Sequence, residues 1–109
     1  MEVPAEIKRH AVVLRSLARS KPRILKQQIT QLPTPVINTI RKLSRNYLNG
    51  NIRLTKAQLA KIRRHKRVLR ELALSKTSLK RSKHLLQKGG FLSSLLIPLV
   101  GLFASLVGK

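Results

Sequence analysis

Charge imbalance constrains this chain before any other feature does. Its 109 residues carry 24 Lys and Arg against three glutamates, Glu2, Glu6 and Glu71, for a net charge of +21. Self-repulsion on that scale opposes compaction, and solubility alone does not call for it. A polyanionic partner does: nucleic acid is the first candidate and anionic lipid the second. The charge is also graded along the chain. Residues 1–50 hold ten basic and two acidic residues, residues 51–88 hold thirteen and one, and residues 89–109 hold Lys109 alone. Three zones follow: a helical N-terminal part (1–50), a strongly basic helical part (51–88), and a Gly-Gly junction with an apolar tail (89–109).

A chain of this length makes one small domain at most. Its hydrophobic content of 42% is ordinary, so composition alone does not make it disordered. It has no Cys, which excludes disulfides, thiolate zinc sites and thiol catalysis together. The opening MEVPAEIKRH has an early Glu and no apolar core, so it does not read as a secretory signal.

Every clear periodicity is helical, and strand alternation is absent. The expected fold class is all-α: four or five short helices in a small basic domain, then an apolar helical tail broken near Pro98. The first helix is expected from about Pro4 to Ser20, with Ile7, Ala11, Leu14 and Ala18 on one stripe widened by Val13 and Leu17. Pro22 opens a second helix carrying Leu25, Ile29 and Leu32. After the break at LPTP, Thr34 is the expected cap of a third helix, with Pro35 at its first position. Val36, Ile40, Leu43 and Tyr47 line that helix, and Asn49-Gly50 stops it.

LTKAQL marks the start of the fourth helix. Thr55 and Gln58 have the spacing of a capping box, and Leu54 and Leu59 that of a hydrophobic staple. Leu59, Ile62, Leu69 and Ala73 form the expected apolar stripe, while Lys56, Arg63, Arg67 and Arg70 share an arc on another face. KTSLKRSKHLLQK continues as a further helix up to Gly89-Gly90. The helical stripes are expected to form a modest core that firms up on DNA or in a bundle with copies of itself.

Catalysis finds no support in the residues. Three scattered glutamates make no carboxylate pair, and Glu71, one turn after Arg67, reads as half of a helix-surface ion pair. His10, His65 and His84 lack the spacing of a metal site, so no metal and no cofactor are expected, and the three read as surface or half-buried helix residues. Gly89-Gly90 has no Lys-Ser/Thr after it and no strand before it, unlike a phosphate loop. The protein does not read as an enzyme.

Nucleic-acid binding is better founded. Neutralising phosphates needs charge density and little geometry. Reading bases or holding single strands needs aimed polar groups or stacked aromatics, and the only aromatic rings of that kind are Tyr47, Phe91 and Phe103. Non-specific contact with the backbone of double-stranded DNA is therefore expected. The residues expected to carry it are Lys56, Lys61, Arg63, Arg64, Lys66, Arg67, Arg70, Lys76, Lys80, Arg81, Lys83 and Lys88. A helix-turn-helix around YLNGNIRLTKAQL is an alternative, with a linker longer than such motifs use. A ribosomal-type RNA binder would share the charge but leave the apolar run without a role.

That run comprises Phe91, Leu92, Leu95, Leu96, Ile97, Pro98, Leu99, Val100, Leu102, Phe103, Leu106 and Val107, interrupted by Ser93, Ser94, Gly101 and Ser105. As a straight helix it would reach about 26 Å, slightly short of a hydrocarbon core, and Pro98 would kink it. Three roles compete: a membrane anchor, a membrane-interacting or self-associating peptide, and a segment docking on another protein such as a capsid protein. If it spans, the basic flank at Lys80–Lys88 keeps the preceding chain cytoplasmic. The runner-up function is accordingly a tail-anchored or membrane-active protein whose basic helices meet anionic headgroups.

The stretch KGGFLSSLLIPLVG resembles the junction in adenovirus core protein mu precursors, where a basic DNA-condensing segment meets Gly-Gly and an apolar tail. More widely, YLNGNIRLTKAQLAKIRRHKRVLRELALSKTSLKRSKHLLQKGGFLSSLLIPLVG resembles the small basic mu-like proteins of Maverick/Polinton elements and adintoviruses, over roughly residues 47–103. The resemblance implies a virion core protein that condenses DNA, located in the virion core and the host nucleus. It also implies a viral maturation protease as partner, with Gly89 and Gly90 as the processing site. The adenoviral protease pattern wants Met, Ile or Leu two residues before the pair, and this chain has Gln87 there.

Overall fold

Local sequence sets where several helices begin. In the computed structural model, which describes residues 5–50, 52, 54–74, 76–88 and 91–99, helix α1 runs Ala5–Arg9 and α2 Ala11–Arg19. Ser20 and Lys21 are extended, with ψ of 144° and 149°, and at Lys21 this follows because Pro22 disfavours helix in the residue before it. Pro22 then opens α3, Pro22–Thr30, where its missing N–H breaks no ladder. Helix α4, Thr34–Leu48, starts one residue before the expected position. Pro33 is its cap (φ −64°, ψ 150°), and Thr34 makes no side-chain capping bond. It ends at Asn49, and Gly50 takes the left-handed φ of 72°.

Helix α5, Lys56–Arg64, carries the expected capping box in both directions. Gln58 N–H donates to Thr55 Oγ1 at 3.2 Å, and Thr55 N–H donates to Gln58 Oε1 at 3.0 Å. Helices α6 (Lys66–Ala73), α7 (Leu79–Leu86) and α8 (Phe91–Leu96) follow, then a 3-10 turn at Ile97–Leu99. Among the described residues there is no strand, so the fold is all-α.

The expected four or five helices are eight among the described residues, because two expected helices are broken and the tail contributes one more. The breaks fall at His10 and His65, both near φ −108°. Neither has Pro or Gly beside it. At His65 the backbone N–H bonds Ile62 O at 2.9 Å, a tightened turn, and the ladder resumes from Leu69 N–H to His65 O at 2.9 Å. At His65 the two halves take different packing partners: α5 packs on α8, whereas α6 packs on α4.

One buried cluster joins all of these elements. It includes Ile7, Leu14 and Leu17 from α1 and α2, Leu25, Ile29 and Leu32 around α3, Val36, Ile37, Ile40, Leu43 and Tyr47 from α4, and Ile62, Leu69, Leu72 and Leu85 from the basic part. Two expected stripe residues are misplaced: Val13 and Leu59 are exposed, while Val68 and Leu72 are buried. The Cα radius of gyration is 12.8 Å, close to the value of about 13 Å for a folded chain of about 100 residues.

Phe91, Leu92, Leu95, Leu96 and Leu99 belong to that same cluster. Helix α8 lies against α2 and α5, and Tyr47 Oη of α4 donates a hydrogen bond to the Leu95 carbonyl. The run set apart in sequence as a tail is thus core as far as Leu99. The helix gives way at Ile97, where the 3-10 turn containing Pro98 begins. Gly89, Gly90, Val100, Leu102, Phe103, Leu106 and Val107 lie outside the described residues.

Candidate nucleic-acid interface

Helix α6 turns Val68, Leu69 and Leu72 inward, so its cations Lys66, Arg67 and Arg70 point outward. On α5, Ile62 is the buried anchor, and Lys56, Lys61, Arg63 and Arg64 are exposed. Lys76, Lys80 and Lys88 are exposed as well. The remaining two of the twelve expected contact residues are engaged within the fold. Lys83 is half-buried, with Nζ donating to Thr30 O at 3.0 Å.

Arg81 grips Glu71 with two guanidinium nitrogens, Nε on Oε2 and Nη2 on Oε1, the latter at 3.1 Å. This replaces the ion pair with Arg67 expected from sequence. Arg81 reaches Glu71 because α7 folds back on α6, and Ser78 Oγ caps α7 by accepting from Arg81 N–H at 3.1 Å. The hydrogen bond from Arg81 holds the Glu71 carboxyl below its ordinary pKa. Glu71 is the only acidic side chain among the described residues whose placement is given. With it neutralised, ten exposed cations between Lys56 and Lys88 face solvent uncompensated by carboxylate.

Among the described residues, the surface lacks the stacking rings that single-strand binding would use. Tyr47 and Phe91 are buried, so no described Phe or Tyr offers a face for a base to stack on. The helix-turn-helix alternative loses ground too, since α5 packs chiefly on α8 and residues 49–55 separate it from α4.

Sequence reading missed the role of two arginines. Arg41 Nε donates to Leu72 O at 3.0 Å and its Nη2 to Leu74 O, while Arg45 Nε donates to Ala73 O at 3.0 Å. One turn apart on α4, they cap the C-terminal carbonyls of α6, where orphan acceptors and the helix dipole favour cations. The only signal in sequence is their i, i+4 spacing beside the apolar stripe. They also help to line a cleft of about 400 Å³ that includes Arg9, His10, Asn38 and Lys42.

A second cleft, of about 450 Å³, lies between α5 and the 91–99 segment, with Lys61, Arg64, His65, Ser93 and Ser94 in its walls. His65 is half-buried there, its ring edge-on to Phe91 with centroids 5.5 Å apart. Burial, with the neighbouring Arg64 charge, pushes its pKa below the ordinary histidine value. Among the described residues no His, Asp and Glu converge as a metal-binding group.

The described apolar residues of the 91–99 segment are mostly withdrawn from contact. Of Phe91–Leu99, Ile97 is the one exposed apolar side chain, and Pro98 is half-exposed. No described helix is long and apolar enough to cross a membrane. Compared with protein-family models, curated proteins and solved structures, the chain matches none.

Proposed function

We propose that this protein binds double-stranded DNA non-specifically through phosphate contacts and condenses it, in the manner of a virion core protein. The observation that carries this reading is the exposed cationic surface of α5, α6 and the flanks of α7, whose one described carboxylate is already paired with Arg81. Helical scaffolding keeps these side chains dense, which is what counterion release rewards. With no described Phe or Tyr exposed, duplex is favoured over single strands. The resemblance to mu precursors adds a setting, beside a genome in a virion and a host nucleus, and a maturation protease acting after Gly90. Such a cut would sever the chain between exposed Lys88 and buried Phe91.

The test is binding of the full chain to two unrelated duplexes across a salt series, with anionic liposomes as competitor. If about eight phosphates are contacted, log affinity falls against log salt with a slope near −7 for both sequences. Changing Arg63, Arg64 and Arg67 together to Ala should weaken both alike. A flat salt dependence, or protein retained on liposomes at high salt, would overturn the reading.

A further inference from the structure

The cleft beside α4 is separate from the α5–α7 surface and has a different character. Arg41 and Arg45 are half-buried, and their carbonyl bonds to the end of α6 fix the position of both guanidinium groups. Those bonds engage only part of the five N–H donors that each guanidinium carries. Arg9 and His10 form part of the wall from α1 and the break after it, and Asn38 adds an amide one turn before Lys42. Among the described residues that line the cleft there is no carboxylate. From these residues we infer that the cleft is a binding site for adjacent phosphate groups, supplied either by a nucleic-acid strand or by a free oligophosphate.

The chemistry favours phosphate in three ways. A planar guanidinium matches phosphate oxygens bidentately, and one that is already anchored loses less freedom on binding. Partial burial weakens solvent screening, and a concave wall whose described charges share one sign focuses their potential. The volume of about 400 Å³ corresponds to roughly a dozen waters at about 30 Å³ each, room for more than one phosphate. The exposed lysines and arginines of α5 and α6 offer charge density without such pre-positioning.

The experiment is titration of the full chain with inorganic tripolyphosphate, followed by calorimetry and backbone amide shifts. Saturable binding at one site is expected, with shifts concentrated at Arg9, His10, Asn38, Arg41 and Arg45. Arg9→Ala combined with Lys42→Ala should weaken it about tenfold or more, the scale of one lost charge-assisted hydrogen bond. Arg63→Ala with Arg67→Ala removes the same charge outside the cleft and should change it less than about threefold. Because Arg9 is exposed, Arg9→Ala alone provides a variant that leaves the core intact.

A short duplex then identifies the source. If it displaces tripolyphosphate and shifts the same amides, the natural ligand is a nucleic-acid backbone. If both bind together, with the duplex confined to α5–α7, the ligand is a free oligophosphate. Unsaturable binding, or equal losses in the cleft and control variants, would overturn the site. Failure of DNA binding alone would sink the proposed function and leave the tripolyphosphate result standing.

Discussion

Tyr47 Oη in α4 donates its hydrogen bond to the backbone carbonyl of Leu95, in the last turn of α8. That carbonyl is among those with no partner within the helix, so the phenol satisfies a buried acceptor and ties α8 to α4, the longest described helix. Tyr47→Phe should cost about 1–3 kcal/mol, the penalty of an unpaired buried acceptor, read from chemical denaturation. Burial also raises the Tyr47 pKa. The native state therefore keeps a proton that the unfolded chain releases near its ordinary value of about 10, and stability should fall as pH rises above that value. The Phe variant should lack that component of the alkaline slope.

Arg45 and Arg67 are separated by role although both are arginines near α6. Arg45 bonds Ala73 O, and Arg67 is exposed. Arg45→Ala should destabilise the fold by about 1–3 kcal/mol, whereas Arg67→Ala should stay within about 0.5 kcal/mol. Thermal unfolding of the two variants side by side checks this. Equal effects would show that the caps on α6 carry no stability.

The Glu71–Arg81 pair makes a prediction about salt. Arg81 already has a carboxylate, so Arg81→Ala should leave the DNA salt slope nearly unchanged, while Arg67→Ala should lower its magnitude by about 0.9. Glu71→Gln frees Arg81 and should raise the slope by a similar amount. Since the Arg81 hydrogen bond depresses the Glu71 pKa, the pair's contribution to stability is present above the unfolded carboxyl value of about 4.3 and lost as pH falls through the lower folded value. Glu71→Gln should remove that acid-side loss.

The elements legible in sequence were those whose signals are local. Pro22 and the Thr55–Gln58 box act within a turn of the helix start they set, and Gly50 acts at a helix stop. The all-α class and most of the basic surface followed from periodicity and charge. The break at His65 did not, because α5 and α6 diverge toward different partners, α8 and α4, and the break at His10 has no local signal either. Val13 and Leu59 sit at sound helical spacing yet are exposed, since periodicity defines a stripe and only the packing partner decides how much of it is covered. The contacts of Arg81 with Glu71 and of Arg41 and Arg45 with α6 span 10 to 33 positions, beyond any window that helix patterns report.

His65 should make the fold acid-sensitive before the carboxylates do. Burial lowers its pKa, with Arg64 adding to the shift, and its ring meets Phe91. The unfolded chain then binds a proton more readily than the native one. The stability from neutral His65 is present above the unfolded value of about 6.5 and declines as pH falls below it. Denaturation midpoints between pH 7.5 and 5.5, on the order of one unit either side of that value, should fall in the parent chain and less in His65→Gln. An identical slope in both would remove His65 as the cause.

Helix α8 provides the sharpest separation between folding and binding. Phe91, Leu92, Leu95 and Leu96 are buried, while Ile97, the next residue, is 54% exposed. Leu95→Ala should cost about 2–5 kcal/mol and Phe91→Ala about 3–5, whereas Ile97→Ala should stay within about 0.5 kcal/mol. Domains of this kind have about 5–15 kcal/mol of stability in all, so a chain ending at Lys88, which lacks five core residues, should lose cooperative unfolding. Phosphate neutralisation depends on charge density more than on geometry. The same truncated chain should therefore still bind duplex DNA with a steep salt slope while showing no thermal transition. Loss of both together would mean that the α5–α7 surface needs the α8 core to present its cations, and retention of the transition would show that α8 is dispensable to the fold.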